Sequence, residues 1–440
     1  MNFQESICYL YDLGYELSVK KFGLENTFTL LNALNNPEKN YLKIQVAGTN
    51  GKGSTCAFLE SIFVKSKIKN GKYTSPHLVS ITERICVDGV EINEEKFAEY
   101  ATAIRKISEK LVLENKLQTL PTFFEQVTAI ALKFFADEKI EIAILETGLG
   151  GRFDSTTATK SEIVAFTPID LDHQNVLGNT VKEIAGEKAA IIRSDTKVVI
   201  SAQRDESLSV ILGKCKAENV EPIINNCRTF EEDQNEYFFI TKENKFFVNN
   251  LGLIGEHQFQ NACVAINIAE ILCKDFKFEI SNSDIEKGLE NAKHKGRLEW
   301  IEYENTRFLF DGAHNVSGVL ALKRFLERYH ENSQITIIFG VMKDKDLTEI
   351  AELLFPFAEN LILTAPDNPR SEIPENLFNF AKKIINETKI LTVKNVKDAL
   401  SSGIELTKNY SALKPSFILV TGSLYLVGEA QKILQNETEI

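Results

Sequence analysis

Residues 46–55 read Val46-Ala47-Gly48-Thr49-Asn50-Gly51-Lys52-Gly53-Ser54-Thr55 and continue an apolar run that begins at Tyr41. The pattern predicts a buried strand, a tight glycine-rich turn and a helix that opens on Gly53 and Ser54. Backbone N–H groups at such a turn point at one spot, the helix N-terminus adds partial positive charge, and Lys52 adds a full charge. The stretch therefore predicts a phosphate-binding loop for a nucleoside triphosphate.

The loop departs from the common pattern G-x-x-x-x-G-K-[ST] at two places. Val46 stands where the first glycine would be, and Gly53 separates Lys52 from the hydroxyl residues. The alternative is an ordinary glycine-rich turn between a strand and a helix. That alternative leaves a lysine between two glycines unexplained.

The composition indicates a globular protein of two or three domains. The chain has 440 residues, of which 43% are hydrophobic and 25% charged, and its formal net charge is −12. The length exceeds what one compact core usually holds. The acidic balance argues against a nucleic acid or an anionic membrane as partner, because both attract basic surfaces.

Targeting signals and cysteine spacing predict a cytoplasmic protein. The first six residues show no basic start and no apolar segment of a secretory signal, and no apolar run is long enough to span a bilayer. The seven cysteines include no C-x-x-C pair, which favours reduced thiols over disulfides or a zinc site.

Strand-length apolar runs alternate with helical patterns, which is typical of a parallel α/β sheet. In the first part of the chain the clearest strands are residues 42–47, 141–145, 163–167 and 197–200. Helical patterns there cover residues 54–67, 94–115, 124–135 and 181–192, and later 258–273 and 283–292, the last with Asn282 or Ser283 as its cap. Aromatic runs on both sides of residues 241–244 predict an inserted β-hairpin.

A second alternation of strands and helices follows the basic stretch at residues 293–297. Its strands are predicted at residues 308–310, 334–339, 360–363, 390–393 and 416–420. We therefore predict two α/β domains, residues 1–295 and 296–440. The first is a phosphate-loop ATPase domain with a parallel sheet and a small β insertion, the second is Rossmann-like, and a cleft lies between them.

Polar clusters follow three strands of the first predicted domain. One is the phosphate loop, the second runs from Glu146 to Asp154, and the third contains Asp170, Asp172 and His173. Because ligands of parallel sheets bind outside the carboxyl ends of strands, we expect these clusters to converge at the triphosphate. The pool of ligands for magnesium is Glu146, Asp170, Asp172, Ser54 and Ser75.

Each remaining candidate has a structural alternative. Lys188 could be a solvated helix lysine, and His173 a hydrogen-bonded structural histidine. Arg297 could be exposed in its basic stretch, and Phe124 could be a core residue. The run Asp311-Gly312-Ala313-His314-Asn315 could be a turn into the next helix, although three polar side chains at one strand end favour a role at a site.

Taken together, the motifs resemble those of the folylpolyglutamate synthase/dihydrofolate synthase family, within the Mur-type ATP-dependent amide ligases. The resemblance extends from about residue 20 to about residue 430. It is carried by Gly48–Ser54, Thr74-Ser75-Pro76-His77-Leu78, Glu83-Arg84-Ile85, Leu145–Asp154, Asp172-His173, Gly186-Glu187-Lys188, Gly296-Arg297-Leu298-Glu299, Asp311–Asn315 and Thr421-Gly422-Ser423.

The resemblance implies ATP-dependent ligation of L-glutamate to dihydropteroate and to reduced folates through an acyl phosphate. The implied catalytic residues are Lys52, Lys188 and His314. The implied ATP contacts are Gly51, Lys52, Gly53, Ser54, Asn261, Arg297 and Asp311. The implied magnesium ligands are Ser75, Glu146, His173 and a carbamylated Lys188, which would serve a second ion. His314 and Ser423 would lie near the incoming glutamate, and the enzyme would be a monomer.

The pterin would meet residues from two segments. The resemblance implies Thr122, Phe124, Arg152 and Asp154, and an aromatic face beside a carboxylate suits a ring with N–H donors. The run Ser155-Thr156-Thr157-Ala158-Thr159 differs from the family's usual continuation. Substrate preference is therefore open at this loop.

Three other functions remain as alternatives. One is a folylpolyglutamate synthase without the dihydropteroate reaction. Another is a muramyl-peptide amino-acid ligase, suggested by Asp367-Asn368-Pro369-Arg370, although only 47 residues precede Gly48. If the protein is instead a folate enzyme, Arg370 is a candidate for the glutamate site. The third is a nucleotide-binding module without ligase activity.

Overall fold

The computed structural model describes the chain except residues 15–22, 225–226, 234–235, 346, 411–412 and 439–440. It divides into two compact units. The first unit comprises residues 1–252 and 258–293, and the second comprises residues 253–257 and 294–440. No helix in the described ranges is long and apolar enough to cross a membrane.

The first unit is built on a mostly parallel sheet. Its described strands are β1 (Leu42–Ala47), β2 (Asn70–Tyr73), β3 (Ile85–Val87), β4 (Val90–Glu91), β5 (Ile142–Glu146), β6 (Ile163–Phe166), β7 (Lys197–Ile200) and β8 (Ile223–Ile224). They are ordered β4-β3-β2-β5-β1-β6-β7-β8, and only β3 and β4 run antiparallel to their neighbours. The carboxyl ends of β2, β5, β1 and β6 are consequently adjacent.

Helices cover both faces of this sheet, which explains why its strands are continuous apolar runs rather than alternating ones. They are α1 (Phe3–Asp12), α2 (Glu25–Ala33), α3 (Lys52–Lys65), α4 (Glu94–Leu113), α5 (Phe123–Asp137), α6 (Gln174–Leu177), α7 (Val181–Ala189), α8 (Asp205–Ala217), α9 (His257–Phe276) and α10 (Asn282–Asn291). One core contains side chains of α1, α2, α4 and α5. Another contains side chains of α7 and α8.

A small antiparallel sheet is inserted before α9. Its strands are β9 (Arg228–Asp233), β10 (Glu236–Ile240) and β11 (Lys245–Asn249), in the order β11-β10-β9. The predicted hairpin around residues 241–244 is confirmed by the pairing of Ile240 with Lys245. The strand β9 is a third strand of this sheet, which the aromatic pattern did not predict.

The second unit has its own sheet and helices. The strands are β12 (Glu299–Tyr303), β13 (Thr306–Asp311), β14 (Gln334–Phe339), β15 (Ala358–Leu363), β16 (Ile390–Thr392) and β17 (Ser416–Thr421). The helices are α11 (Val316–Tyr329), α12 (Leu347–Leu354), α13 (Pro374–Ala381), α14 (Val396–Thr407) and α15 (Leu424–Thr438). The order is β12-β13-β17-β14-β15-β16, and all pairs are parallel except β12 with β13.

Most predicted elements are present, with shifted ends. The helix α3 begins at Lys52, two residues before the predicted range of 54–67, and α7 ends at Ala189 rather than at residue 192. The predicted cap of α10 is wrong: Ser281 caps this helix, because its Oγ accepts the backbone N–H of Asp284 at 3.1 Å. A capping box therefore starts the helix one residue earlier.

Candidate functional site

The phosphate loop depends on a glycine at the start of α3. Gly51 precedes the helix with φ +87°, and a Cβ atom there would lie 2.4 Å from Oδ1 of Asn261. Gly53 lies in the first turn of α3. Ser54 accepts a hydrogen bond from Nε2 of Gln258 at 3.3 Å, and Asn261 donates to Oε1 of Gln258 at 2.9 Å. The helix α9 therefore supports the loop through Gln258 and Asn261. The resemblance implied a contact with ATP for Asn261, and Gln258 was not among the predicted residues.

The same loop is anchored to the end of β6. The backbone N–H groups of Thr49 and Asn50 both donate to the carbonyl of Pro168, at 2.9 and 3.3 Å. The hydroxyl of Thr49 donates to the carbonyl of Asp170 and accepts its N–H, both at 3.0 Å. The phosphate loop and the Asp170 segment are thus one hydrogen-bonded body.

Glu146 and Ser75 come together from neighbouring strands. Glu146 is the last residue of β5 and is 6% exposed. Its Oε2 accepts the backbone N–H of Ser75, which follows β2, at 3.2 Å. Since β5 lies directly beside β1, this carboxylate is at the same sheet edge as the phosphate loop.

The loop after Glu146 is organised around a buried carboxylate. The backbone N–H groups of Gly148 and Leu149 donate to one oxygen of Asp154, at 2.9 and 3.0 Å, and the N–H of Thr156 donates to the other at 3.0 Å. Burial raises the pKa of Asp154 despite these hydrogen bonds. Asp154 therefore holds the conformation of this loop.

Lys188 is buried where this loop contacts α7. A Cβ atom on Gly151 would lie 2.7 Å from the carbonyl of Glu187 and 2.9 Å from Cα of Lys188, so only glycine permits this contact. Lys188 is 5% exposed, which makes the solvated-lysine alternative wrong. Burial lowers the pKa of Lys188 to about 7, and the charge of Lys52 acts in the same direction.

Lys52 and His173 are the other predicted site residues at this edge. The Nζ atom of Lys52 donates to the carbonyl of Thr49 at 3.2 Å. His173 has φ +50°, a side chain that is 32% exposed, and an Nε2 atom 4.0 Å from Oδ2 of Asp172. Within the described residues, no three His, Cys, Asp or Glu side chains form a group able to hold a metal ion.

The predicted pterin residues fall into two groups. Phe124 is 6% exposed; its ring packs on Tyr73 at 5.9 Å and contacts Gly148, against which Asp154 also lies. The structure thus brings Phe124 and Asp154 together, with Phe124 largely within the core. By contrast, Thr122 caps α5 through its hydrogen bonds with Glu125.

Arg152 is the remaining predicted pterin residue. Its side chain is 47% exposed, and its Nε lies 2.9 Å from Oε1 of Glu187. It therefore covers the outer surface of the loop that contacts α7.

Two residues that were quoted only as parts of motifs have specific contacts. Glu83 accepts the backbone N–H groups of Leu78, Val79 and Ser80 at 2.8 to 2.9 Å, which fixes the segment that follows Ser75. Arg84 is 7% exposed and contacts His77. Glu83 and Arg84 are neighbours in one motif of the sequence, and this was the signal that could have identified both as functional candidates.

In the second unit, Arg297 and Asp311 lie together. Asp311 ends β13 and accepts the N–H groups of Leu298 and Ala313, both at 3.0 Å. Burial raises the pKa of Asp311, while the charge of Arg297 acts to lower it. A Cβ atom on Gly312 would lie 3.4 Å from Nη1 of Arg297.

His314 and Ser423 follow neighbouring strands of that unit, since Asp311 on β13 pairs with Thr421 on β17. The Nδ1 atom of His314 lies 2.8 Å from the carbonyl oxygen of Gly312. Ser423 is 2% exposed and accepts the N–H of Leu426 at 3.1 Å, so that it caps α15. The loops of both residues are therefore at one sheet edge.

Arg370 lies elsewhere in the second unit. Its Nη2 donates to Oδ1 of Asp344 at 3.0 Å. This ion pair lowers the pKa of Asp344, together with Lys345 and against the effect of burial.

A phosphate loop, an adjacent carboxylate and a buried lysine at one edge of a parallel sheet define a nucleotide-binding α/β protein. Comparison with known families refines this class. Residues 46–269 match the Mur ligase middle domain, and residues 296–424 match the Mur ligase glutamate ligase domain.

Similar proteins cover nearly the whole chain. The dihydrofolate synthase/folylpolyglutamate synthase of Bacillus subtilis is 34% identical over 422 residues, which is 94% of this chain and 95% of that protein. The Mycobacterium tuberculosis folylpolyglutamate synthase complexed with ADP and AMPPCP has a TM-score of 0.86 at 27% identity, covering 98% and 99% of the two chains. "E.coli FolC in complex with DHPP and ADP" has a TM-score of 0.86 at 25% identity, covering 100% and 99%.

The chain belongs to the Mur ligase family, and within it to the dihydrofolate synthase/folylpolyglutamate synthase group of ATP-dependent, amide-forming ligases. The family resemblance and the two-domain α/β fold predicted from the motifs are thereby confirmed. These relatives do not support the muramyl-peptide alternative.

Proposed function

We propose that this protein ligates L-glutamate to dihydropteroate and to tetrahydrofolate and its polyglutamates, with ATP converted to ADP and phosphate. The observation that carries the proposal is the contact between Glu146 and Ser75 beside the phosphate loop. The names of the B. subtilis and M. tuberculosis relatives indicate the two acceptors.

The reaction needs charge neutralisation and positioning rather than a protein nucleophile. A carboxylate oxygen of the acceptor attacks the γ-phosphorus of ATP, and ADP leaves. The amine of glutamate then attacks the acyl phosphate, phosphate leaves with the C–O bond electrons, and the amine loses a proton. In this scheme the N–H groups at Gly51–Ser54 and the Lys52 ammonium group bind the phosphates, and Lys52 stabilises the charge on the transferred group.

Magnesium, as one ion or two, fits the oxygen donors at this edge. Ser75, Glu146 and His173 are the proposed ligands, and a carboxylate with a hydroxyl is the chemistry that this cation prefers. The ion would supply charge neutralisation on the phosphates. Glu146 and Ser75 already contact each other, which supports their assignment to one ligand group.

We also propose that Lys188 is carbamylated. An amine with a pKa of about 7 is substantially neutral at physiological pH, and a neutral amine can attack carbon dioxide. The N–C bond forms, the amine releases a proton, and the carbamate carries a negative charge. Its oxygens could then serve a second magnesium ion, which the ammonium form could not.

Residues further from the phosphate loop are assigned to the other substrates. The proposed ATP contacts are Asn261, Arg297 and Asp311. His314 and Ser423 are assigned to the incoming glutamate, with His314 as the catalytic residue of that step. The pterin residues are Thr122, Phe124, Arg152 and Asp154. We further propose a monomeric, cytoplasmic enzyme, and size-exclusion chromatography with light scattering tests the first of these two statements.

The test is ADP release with L-glutamate and each acceptor in turn, dihydropteroate or tetrahydrofolate. We expect turnover with both. Turnover with tetrahydrofolate alone would leave a folylpolyglutamate synthase, the second candidate. Nucleotide binding without turnover on either acceptor would refute the proposal and favour a binding module.

A further inference from the structure

Arg84 is a buried cation that lacks a carboxylate partner among the described residues. It is 7% exposed, and its Nε donates to Nδ1 of His77 at 2.9 Å. Its Cζ lies 5.1 Å from the centre of the Phe123 ring. Within the described part of the chain its Nη1 is buried without a hydrogen-bond partner, and no acidic side chain forms an ion pair with it. Buried charges are ordinarily paired, so this guanidinium group lacks the anion that its environment requires.

The groups around Arg84 cannot supply that anion. Nδ1 of His77 accepts the hydrogen bond from Arg84, so this ring presents a lone pair and not a negative charge to the guanidinium group. The hydroxyl of Tyr11 lies 3.3 Å from Nε2 of His77, and the Tyr11 ring stacks on Phe123 at 5.5 Å. We call Tyr11, His77, Arg84 and Phe123 the Arg84 cluster. It combines aromatic walls with one desolvated cation, which strengthens any hydrogen bond to a carboxylate.

The Arg84 cluster lies next to the reacting edge of the first unit. The backbone N–H of Thr74 donates to the carbonyl of Arg84 at 3.0 Å, and the following residue, Ser75, contacts Glu146. On its other side, Phe123 directly precedes Phe124 in α5. The cluster therefore adjoins both the metal-ligand candidates and the residues assigned to the pterin.

The two proposed acceptors differ by one carboxylate. Dihydropteroate has a single carboxylate, and that group must react. A folate ends in glutamate and has two, so that one reacts and the other stays charged. We propose that Arg84 binds the non-reacting carboxylate of the terminal glutamate of a folate, and so distinguishes folates from dihydropteroate. This inference rests on the proposed function.

The test compares Arg84→Gln with wild type on both acceptors. Glutamine can still donate to His77 but has no charge. Loss of hydrogen bonds to a charged group should raise KM for tetrahydrofolate about 10- to 100-fold. KM for dihydropteroate should stay within about threefold, since this acceptor has no second carboxylate.

Arg105→Gln is the matched control. Arg105 also lies over an aromatic ring, 4.6 Å from that of Tyr9, but its side chain is 41% exposed and paired with Glu109. The Arg105→Gln variant should leave KM for tetrahydrofolate and KM for dihydropteroate unchanged. Circular dichroism and nucleotide affinity report whether each variant is folded, and Arg84→Met is the second variant if Arg84→Gln is unstable.

A substrate analogue provides a second, independent arm. The analogue is a tetrahydrofolate in which a carboxamide replaces the non-reacting carboxylate. For the wild-type enzyme, KM should rise with this analogue about as much as KM for tetrahydrofolate rises in Arg84→Gln. For Arg84→Gln, KM for the analogue should be little higher than KM for tetrahydrofolate, because the guanidinium group that would bind the carboxylate is already absent. Any of three results would overturn the assignment. Arg84→Gln could raise KM equally for both acceptors, it could leave KM for tetrahydrofolate unchanged, or the effects of the variant and of the analogue on KM could be additive. Failure of the proposed function is distinct, since the wild-type enzyme would then release no ADP with either acceptor.

Discussion

Replacing Lys188 by Met should stabilise the first unit while it abolishes turnover. The pKa of this buried lysine falls from 10.5 to about 7 on folding, so the unfolded chain binds more protons between these pH values. At pH 7 the difference corresponds to about 4 kcal/mol of folding free energy that the lysine costs and the methionine does not. The gain should be largest at and below pH 7, should shrink as the pH rises towards 10.5, and should vanish only above 10.5, where the lysine is neutral in both states.

The assay is urea unfolding of wild type and Lys188→Met in buffer free of carbon dioxide, at pH 7 and at pH 9.5. Lys182→Met on the same helix is the control, because Lys182 is exposed and should change stability by less than about 0.5 kcal/mol at either pH. A stabilisation of equal size at both pH values, or a destabilisation at pH 7, would refute the reasoning.

Three further substitutions test the site. Lys188→Ala should reduce turnover at least about 100-fold and regain part of it with a short carboxylic acid, measured as ADP release with and without acetate; full activity without acetate contradicts the carbamate. Gly51→Ala should abolish ATP binding in calorimetry, since its Cβ would meet Asn261 at φ +87°, whereas Gly213→Ala, where the added Cβ meets open space, should bind normally. Glu146→Gln should lower kcat about 100-fold with little change in nucleotide affinity; an unchanged kcat would remove Glu146 from the ligand set.

Much of the fold was accessible from the sequence because its strands are buried on both faces. β1, β7 and β14 begin and end where the apolar runs predicted. β12 was missed because it is an edge strand whose residues are mostly half-buried, so its pattern is weak. The hairpin that joins it to β13 turns at Glu304 and Asn305, both with positive φ.

The site was less accessible because its chemistry depends on contacts between distant segments. Lys188 looks like an exposed helix residue until Gly151, far away in sequence, brings another loop against it. The position of Asp154 in the sequence does not show that its oxygens accept backbone N–H groups of its own loop. The unpaired charge of Arg84 depends on what surrounds it, which no local pattern reports.

The hydrogen bonds between the phosphate loop and the segment after β6 limit how this architecture can be re-engineered. A single carbonyl, that of Pro168, serves two residues of the loop, and Thr49 is bonded in both directions to Asp170. A loop grafted here from another nucleotide-binding protein would lose these bonds unless the Pro168–Asp170 segment were transplanted with it. An insertion next to Asn50 would likewise displace His173, three residues beyond Asp170. The transferable module is therefore this discontinuous pair of segments, and not the glycine-rich stretch alone.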